Sequence, residues 1–119
     1  MSPRFVDTHC HFDFPPFIDD VDSSLARAAD AGVTAIIVPA TEAARFAGVL
    51  ALAQAHPPLY AALGLHPIVI EQHRDADLDQ LEGLLAQRPE KLAAIGEIGL
   101  DLYRDDPQFA RQEQILDAQ

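Results

Sequence analysis

The sequence has no tryptophan, one methionine and one cysteine in 119 residues. A lone thiol, Cys10, excludes an internal disulfide framework and fits a reducing compartment. Its place in an apolar stretch predicts packing rather than reactivity. Positive charge is scarce too: Lys plus Arg number 8 against 19 Asp plus Glu, a net charge of −11. That balance argues against a chain that grips nucleic acid through a broad basic face. It suits a site where divalent cations gather carboxylates and supply the positive charge that a phosphate-bearing substrate needs. Most of the acids are nonetheless expected to do no more than hydrate the surface. No basic region followed by an apolar run marks a signal peptide, and the most apolar tract, Val33 to Ala40, is too short to span a bilayer. The expectation is a cytoplasmic protein without a membrane partner.

What is present is apolar and regularly punctuated. Apolar residues make up 49% of the chain, enough for one small domain with a real core. Phe5 to His11 begins as a strand and ends in two histidines. Val33 to Val38 is a short β-branched run of the kind covered on both faces in a parallel sheet. Further strands are predicted from Leu59 to about Leu65 and from Leu92 to about Ile98.

Helices are expected between them. The first is capped by Asp19 or Asp22 and closed at Gly32. The second runs from Glu42 to about Ala55 behind Thr41, stopped by His56-Pro57-Pro58. The third spans roughly Asp75 to Arg88, and the last opens at Asp106-Pro107. Strand and helix thus alternate four times, which predicts an α/β fold with a parallel sheet. A (β/α)₈ barrel needs about 200 residues or more, so four βα units read as the N-terminal (βα)4 half of a TIM barrel. An open four-stranded sheet is the alternative. Residues 1–119 are expected to be one N-terminal portion, with the C-terminal half elsewhere or supplied by a second chain.

The polar residues of interest fall at strand ends. His9 and His11, one residue apart on a strand, point the same way and can share one divalent cation. The bland reading is two solvated histidines. His66 ends the third strand in Gly64-Leu65-His66-Pro67. Glu97 sits in Gly96-Glu97-Ile98-Gly99, where a buried carboxylate is costly unless something positive meets it. Gly96 and Gly99 leave room for a close ligand. In barrels this rim is where the βα loops converge on an active site. Arg104 could hold two phosphate oxygens, or simply pair with Asp101 or Asp105. Asp101 could orient a ligand or cap a loop. The aromatics of Phe12-Asp13-Phe14-Pro15-Pro16-Phe17 could form a wall beside the histidines. His73, among charged residues, reads as solvated, and His56 as a helix-end residue.

Phe-Val-Asp-Thr-His-Cys-His at 5–11, Gly-Leu-His-Pro at 64–67 and Gly-Glu-Ile-Gly-Leu-Asp at 96–101 together resemble the TatD family of metal-dependent deoxyribonucleases, amidohydrolase-like TIM barrels. The resemblance covers this whole chain but only about half of a barrel-length protein. It implies a site with two divalent ions (Mg²⁺, Mn²⁺ or Zn²⁺). His9 and His11 would hold one, and Glu97, the catalytic carboxylate of this half, would bridge both. His66 would reach the substrate phosphate, with Arg104 nearby. The substrate would be DNA or a small phosphoester. Two later histidines and an aspartate that the family uses have no counterpart here, so the chain alone is expected to be inactive. Two alternatives stand beside the nuclease: an amidohydrolase-like hydrolase of small esters, lactones or amides, and a half-barrel without catalysis.

Overall fold

A computed structural model of the chain describes residues 2–119. Strands β1 (Phe5–Asp7), β2 (Val33–Pro39), β3 (Leu59–Leu63) and β4 (Leu92–Ile95) alternate with helices α1 (Val21–Asp30), α2 (Phe46–Ala55), α3 (Asp75–Gln87) and α4 (Phe109–Ala118). Neighbouring strands are parallel throughout, in the spatial order β1-β2-β3-β4. This is the repeating βα arrangement from which a (β/α)₈ barrel is built, four units of it, as the alternation in the sequence predicts.

The β-branched and small residues of β2 and β3 form the middle of the sheet. Val38, Leu59, Ala61 and Leu63 have no solvent exposure. Helix α2 covers them with Phe46, Val49 and Ala53, all at most 1% exposed and spaced three or four residues apart. Burying side chains as large as Phe46 or Leu63 contributes about 1.5–3 kcal/mol each. The expectation that Val33 to Val38 is covered on both faces holds in part: Ile36 and Val38 are buried, Val33, Ala35 and Ile37 are half-buried, and Thr34 is exposed. All three residues of β1 are exposed, as are Ala93, Ala94 and Ile95 of β4.

Element boundaries depart from the sequence reading at several ends. Asp20, rather than Asp19 or Asp22, caps α1 by accepting from the Ser23 N–H at 3.0 Å. Gly32 follows α1 with φ +88°, and a side chain there would lie 2.7 Å from the Pro3 carbonyl. Thr41 does not cap α2. A 3₁₀ turn at Ala43–Arg45 precedes the helix, and the Thr41 carbonyl instead accepts from the His66 N–H. Helix α4 begins at Phe109, three residues after Asp106, with Gln108 in a left-handed conformation at its start. At α3 the Asp77 carboxylate accepts from the Arg74 N–H at 2.9 Å, half of a capping box. Among the described residues no helix is long and apolar enough to cross a membrane.

Candidate metal centre

Strand β1 is shorter than predicted and ends before the histidines. Asp7 Oδ1 accepts the backbone N–H of His9 at 3.0 Å and turns the chain out of the strand. The Cys10 N–H donates to the Ile37 carbonyl at 3.1 Å and holds the segment beside β2. Strand alternation therefore does not align the two imidazoles, yet they converge: His9 Nε2 lies 3.3 Å from His11 Nε2. Cys10 packs against the core. Burial, with Asp7 and Asp13 nearby, raises its pKa, which keeps the thiol protonated.

Only one residue of the expected aromatic wall stands beside the histidines. Phe12 is 2% exposed and stacks on Phe17 in the core. Phe14 meets His11 edge-on, with ring centroids 6.0 Å apart. The Arg45 guanidinium lies 3.9 Å from the Phe14 centroid and binds Asp13 Oδ2 through Nε and Nη2, at 3.1 and 2.9 Å. This clamp ties the loop to the turn before α2 and fixes the ring against which His11 rests.

Glu97 arrives from the far edge of the sheet. Beyond β4 the Gly96 N–H bonds to Leu63, but the Glu97 N–H reaches past β3 to the Ala40 carbonyl at 3.1 Å. It does so by crossing directly over Gly64. A Cβ at Gly64 would lie 2.8 Å from the Gly96 carbonyl carbon and 3.1 Å from the Glu97 nitrogen. Gly96 and Gly99 are expected from the sequence to leave room for a close ligand; the backbone crossing makes a different demand. A Cβ on Gly96 would meet only Ala62 at 3.8 Å, and one on Gly99 would meet nothing, although Gly99 has φ +147°. Gly64 is the residue whose missing side chain makes room.

The crossing delivers Glu97 Oε2 to 3.2 Å from both His9 Nε2 and His11 Nε2. Three donor atoms thus form a nearly equilateral triangle. Glu97 Oε2 is buried and makes no hydrogen bond, and neither does the buried His11 Nδ1. Ligands about 2.1 Å from a shared cation, at angles between octahedral and tetrahedral, lie about 3.0–3.4 Å apart. The observed spacing, the unsatisfied carboxylate oxygen and the imidazole–carboxylate donor set fit a divalent ion. His9, His11 and Glu97 are the group that can hold a metal among the described residues.

His66 occupies the other side of the carboxylate, its Nε2 2.9 Å from Glu97 Oε1. Its Nδ1 accepts the Ile68 N–H at 3.0 Å, so in the neutral ring the proton resides on Nε2. A protonated nitrogen cannot ligate a metal but can donate to an anionic oxygen. This separates His66 chemically from His9 and His11.

The remaining predicted residues have different surroundings. Arg104 pairs with neither Asp101 nor Asp105. Its Nη1 donates to the Ile68 carbonyl at 2.9 Å and to Glu71 Oε1. Asp101 Oδ1 accepts the Tyr103 N–H at 2.8 Å, which makes it a loop cap. His56 ends α2, as expected. His73 is the clearest miss: it is 6% exposed, not solvated, and its Nε2 lies 2.7 Å from the His66 carbonyl. Nothing in its charged sequence neighbourhood signals this burial.

Comparison with known proteins agrees with this geometry. The family model for TatD related DNase matches residues 6–119. The chain is 65% identical over its whole length to 46% of the uncharacterized metal-dependent hydrolase YjjV of Escherichia coli K12. It is 36% identical over 104 residues to the 3'-5' ssDNA/RNA exonuclease TatD of Edwardsiella piscicida, covering 87% of this chain and 39% of that one. Against human deoxyribonuclease TATDN3 the identity is 33% over 112 residues, 88% of this chain and 40% of that one. The crystal structure of the E. coli TatD homologue YjjV superposes with a TM-score of 0.94 at 64% identity, over 97% of this chain and 44% of that one. The chain therefore spans less than half the length of these relatives. With the match running from the strand before the histidines to the last residue, the chain belongs to the TatD related DNase family.

Proposed function

We propose that this chain supplies the N-terminal half of a metal-dependent phosphodiesterase site that acts on DNA. The observation that carries the reading is the triangle of His9 Nε2, His11 Nε2 and Glu97 Oε2, 3.2–3.3 Å on each edge. In the proposal His9, His11 and Glu97 would hold one divalent cation, and Glu97 would help to hold a second. Bound divalent ions supply Lewis acidity, which acidifies a water and neutralises phosphoryl charge.

The chain's own residues do the rest. His66 Nε2–H, once released from Glu97 Oε1, donates to a phosphoryl oxygen and stabilises charge as it develops. Arg104, if released from Glu71, can add a guanidinium to a neighbouring phosphate. Phe14 and the Asp13–Arg45 pair keep His11 in position. The names of the relatives, which include a deoxyribonuclease and an ssDNA/RNA exonuclease, support a nucleic-acid substrate. The net charge of −11 favours a second reading, in which the substrate is a small phosphoester or carboxylic ester. A cytoplasmic location accords with the single free thiol.

The test uses the full-length protein, stripped of metal and then titrated with Mg²⁺, Mn²⁺ or Zn²⁺ against single-stranded DNA, duplex DNA and nitrophenyl esters. Metal-restored DNA cleavage is the expected result, and cleavage of esters alone would select the second reading. Glu97→Gln should lower turnover at least a hundredfold while leaving the thermal midpoint of the metal-free protein near wild type, on the order of losing one key electrostatic group. Undiminished DNA cleavage by that variant would overturn the proposal.

A further inference from the structure

His66 is held at several points. Its N–H donates to the Thr41 carbonyl at 2.8 Å and its Nδ1 accepts the Ile68 N–H at 3.0 Å. Its carbonyl accepts from His73 Nε2 at 2.7 Å and from the Val69 N–H at 3.3 Å. Only Nε2 is left to face the site. Of these four anchors, three are backbone groups that any sequence would offer. The fourth is a side chain, brought seven residues back by the 3₁₀ turn Pro67–Gln72.

From this geometry we infer that His73 is a positioning residue that acts through His66. The inference rests on the donor role proposed for His66. His73 is buried, and its Nδ1 has no hydrogen-bond partner. A buried imidazole with one unsatisfied nitrogen carries a desolvation cost. A leucine of similar bulk would carry none. What the imidazole provides that an apolar side chain cannot is the Nε2–H bond to the His66 carbonyl. That bond ties the two ends of the 3₁₀ turn together. The turn also supplies the Ile68 N–H that fixes the His66 tautomer and the Ile68 carbonyl that receives Arg104. Loss of the bond leaves the turn closed only by the longer Val69 N–H to His66 and His73 N–H to Ile70 bonds, at 3.3 and 3.2 Å, and so loosens the direction and tautomer of the His66 ring. His73 touches none of His9, His11 and Glu97 through a hydrogen bond or ion pair, so metal binding is not its task.

The test is a double-mutant cycle in the full-length protein with His73→Leu, His66→Ala and the pair. His73→Leu should lower kcat about tenfold or more with KM and the metal titration midpoint little changed, one lost aligning contact being worth about that factor. In the His66→Ala background the same substitution should cost nothing further. His73→Gln, whose Nε2 can occupy the place of the imidazole Nε2, should recover most of the loss. In the metal-free protein, nitrogen NMR of the His66 ring should show one fixed tautomer in wild type and an averaged one in His73→Leu. An equal loss from His73→Leu with and without His66 would overturn the inference, as would an unchanged His66 tautomer. A His66→Ala variant with full activity would instead sink the donor role of His66, and the NMR arm would still decide whether His73 orders the ring.

Discussion

At the scale of single residues, the site depends on an absence as much as on its ligands. Gly64 is buried under the Gly96–Glu97 segment, and a methyl group there would press on the Gly96 carbonyl carbon and Ile98 Cγ2, both at 2.8 Å. Backbone cannot rotate aside as a flexible side chain can. Gly64→Ala should therefore destabilise the protein by about 1–3 kcal/mol, the usual cost of overpacking. It should also weaken metal binding, because the displaced segment carries Glu97. Gly48→Ala, within α2 and with open space around it, is the control: it should leave metal binding unchanged and raise stability by about 0.5–1 kcal/mol. Chemical denaturation and a metal titration of the two variants would check this. His9, His11, His66 and Glu97 were legible from the sequence because each pairs an unusual residue with a strand end. Gly64 lay inside a motif already noticed, yet its role needs the crossing of another strand's end, which no local pattern records. His73 had no signal at all, since burial of a histidine between Gln72 and Arg74 is decided by tertiary packing.

Among elements, the two loops after β3 and β4 are joined by one exposed ion pair. Arg104 bridges from the loop before α4 to Glu71 and the Ile68 carbonyl in the 3₁₀ turn. Glu71's own backbone N–H holds its carboxyl below the ordinary value of 4.5, against the opposing effect of desolvation, and the Arg104 guanidinium lowers it further. A depressed carboxylate pKa contributes stability that is full above the unfolded value and disappears as pH falls through the folded one. Side-chain NMR relaxation should thus show Arg104 ordered at neutral pH and mobile only below the usual glutamate range. Glu71→Gln should make it mobile at every pH; an Arg104 equally ordered in that variant would refute the link. The pair is invisible in sequence because 33 positions separate its members. Strand and helix types were readable everywhere, since apolar period and proline punctuation are local. Their ends were not. Asp20 displaced its neighbours as the cap of α1, and a 3₁₀ turn took the place expected for the start of α2.

Taken as a whole, the molecule is more open than its length suggests. Its Cα radius of gyration is 15.3 Å, whereas a closed domain of this size would have about 13.5 Å. Apolar side chains remain uncovered along the outer strands and the β4–α4 loop, among them Val6 at 57% and Leu102 at 69%. In a flat sheet, β1 and β4 would lie about 14 Å apart, three interstrand steps of about 4.8 Å. The histidines that follow β1 and the glutamate that follows β4 nevertheless meet at 3.2 Å. The rim curls inward, as a barrel wall does. The alternation of elements predicted this architecture, but the closing of that distance is a property of the assembled sheet.

A cation gripped by residues 9, 11 and 97 would be a clasp between the first and last staves of this wall, fastening a loop almost as long as the chain. Binding that occurs only in the folded state raises stability with the logarithm of free ligand, by about 2.7 kcal/mol at a hundred times Kd. Heating the protein with increasing Mn²⁺ or Zn²⁺ should therefore raise its melting temperature steadily, and chelator should reverse the rise. His9→Ala should abolish the effect. In a chain whose one thiol cannot form an internal crosslink, the metal would take over a bracing task that secreted domains give to sulfur.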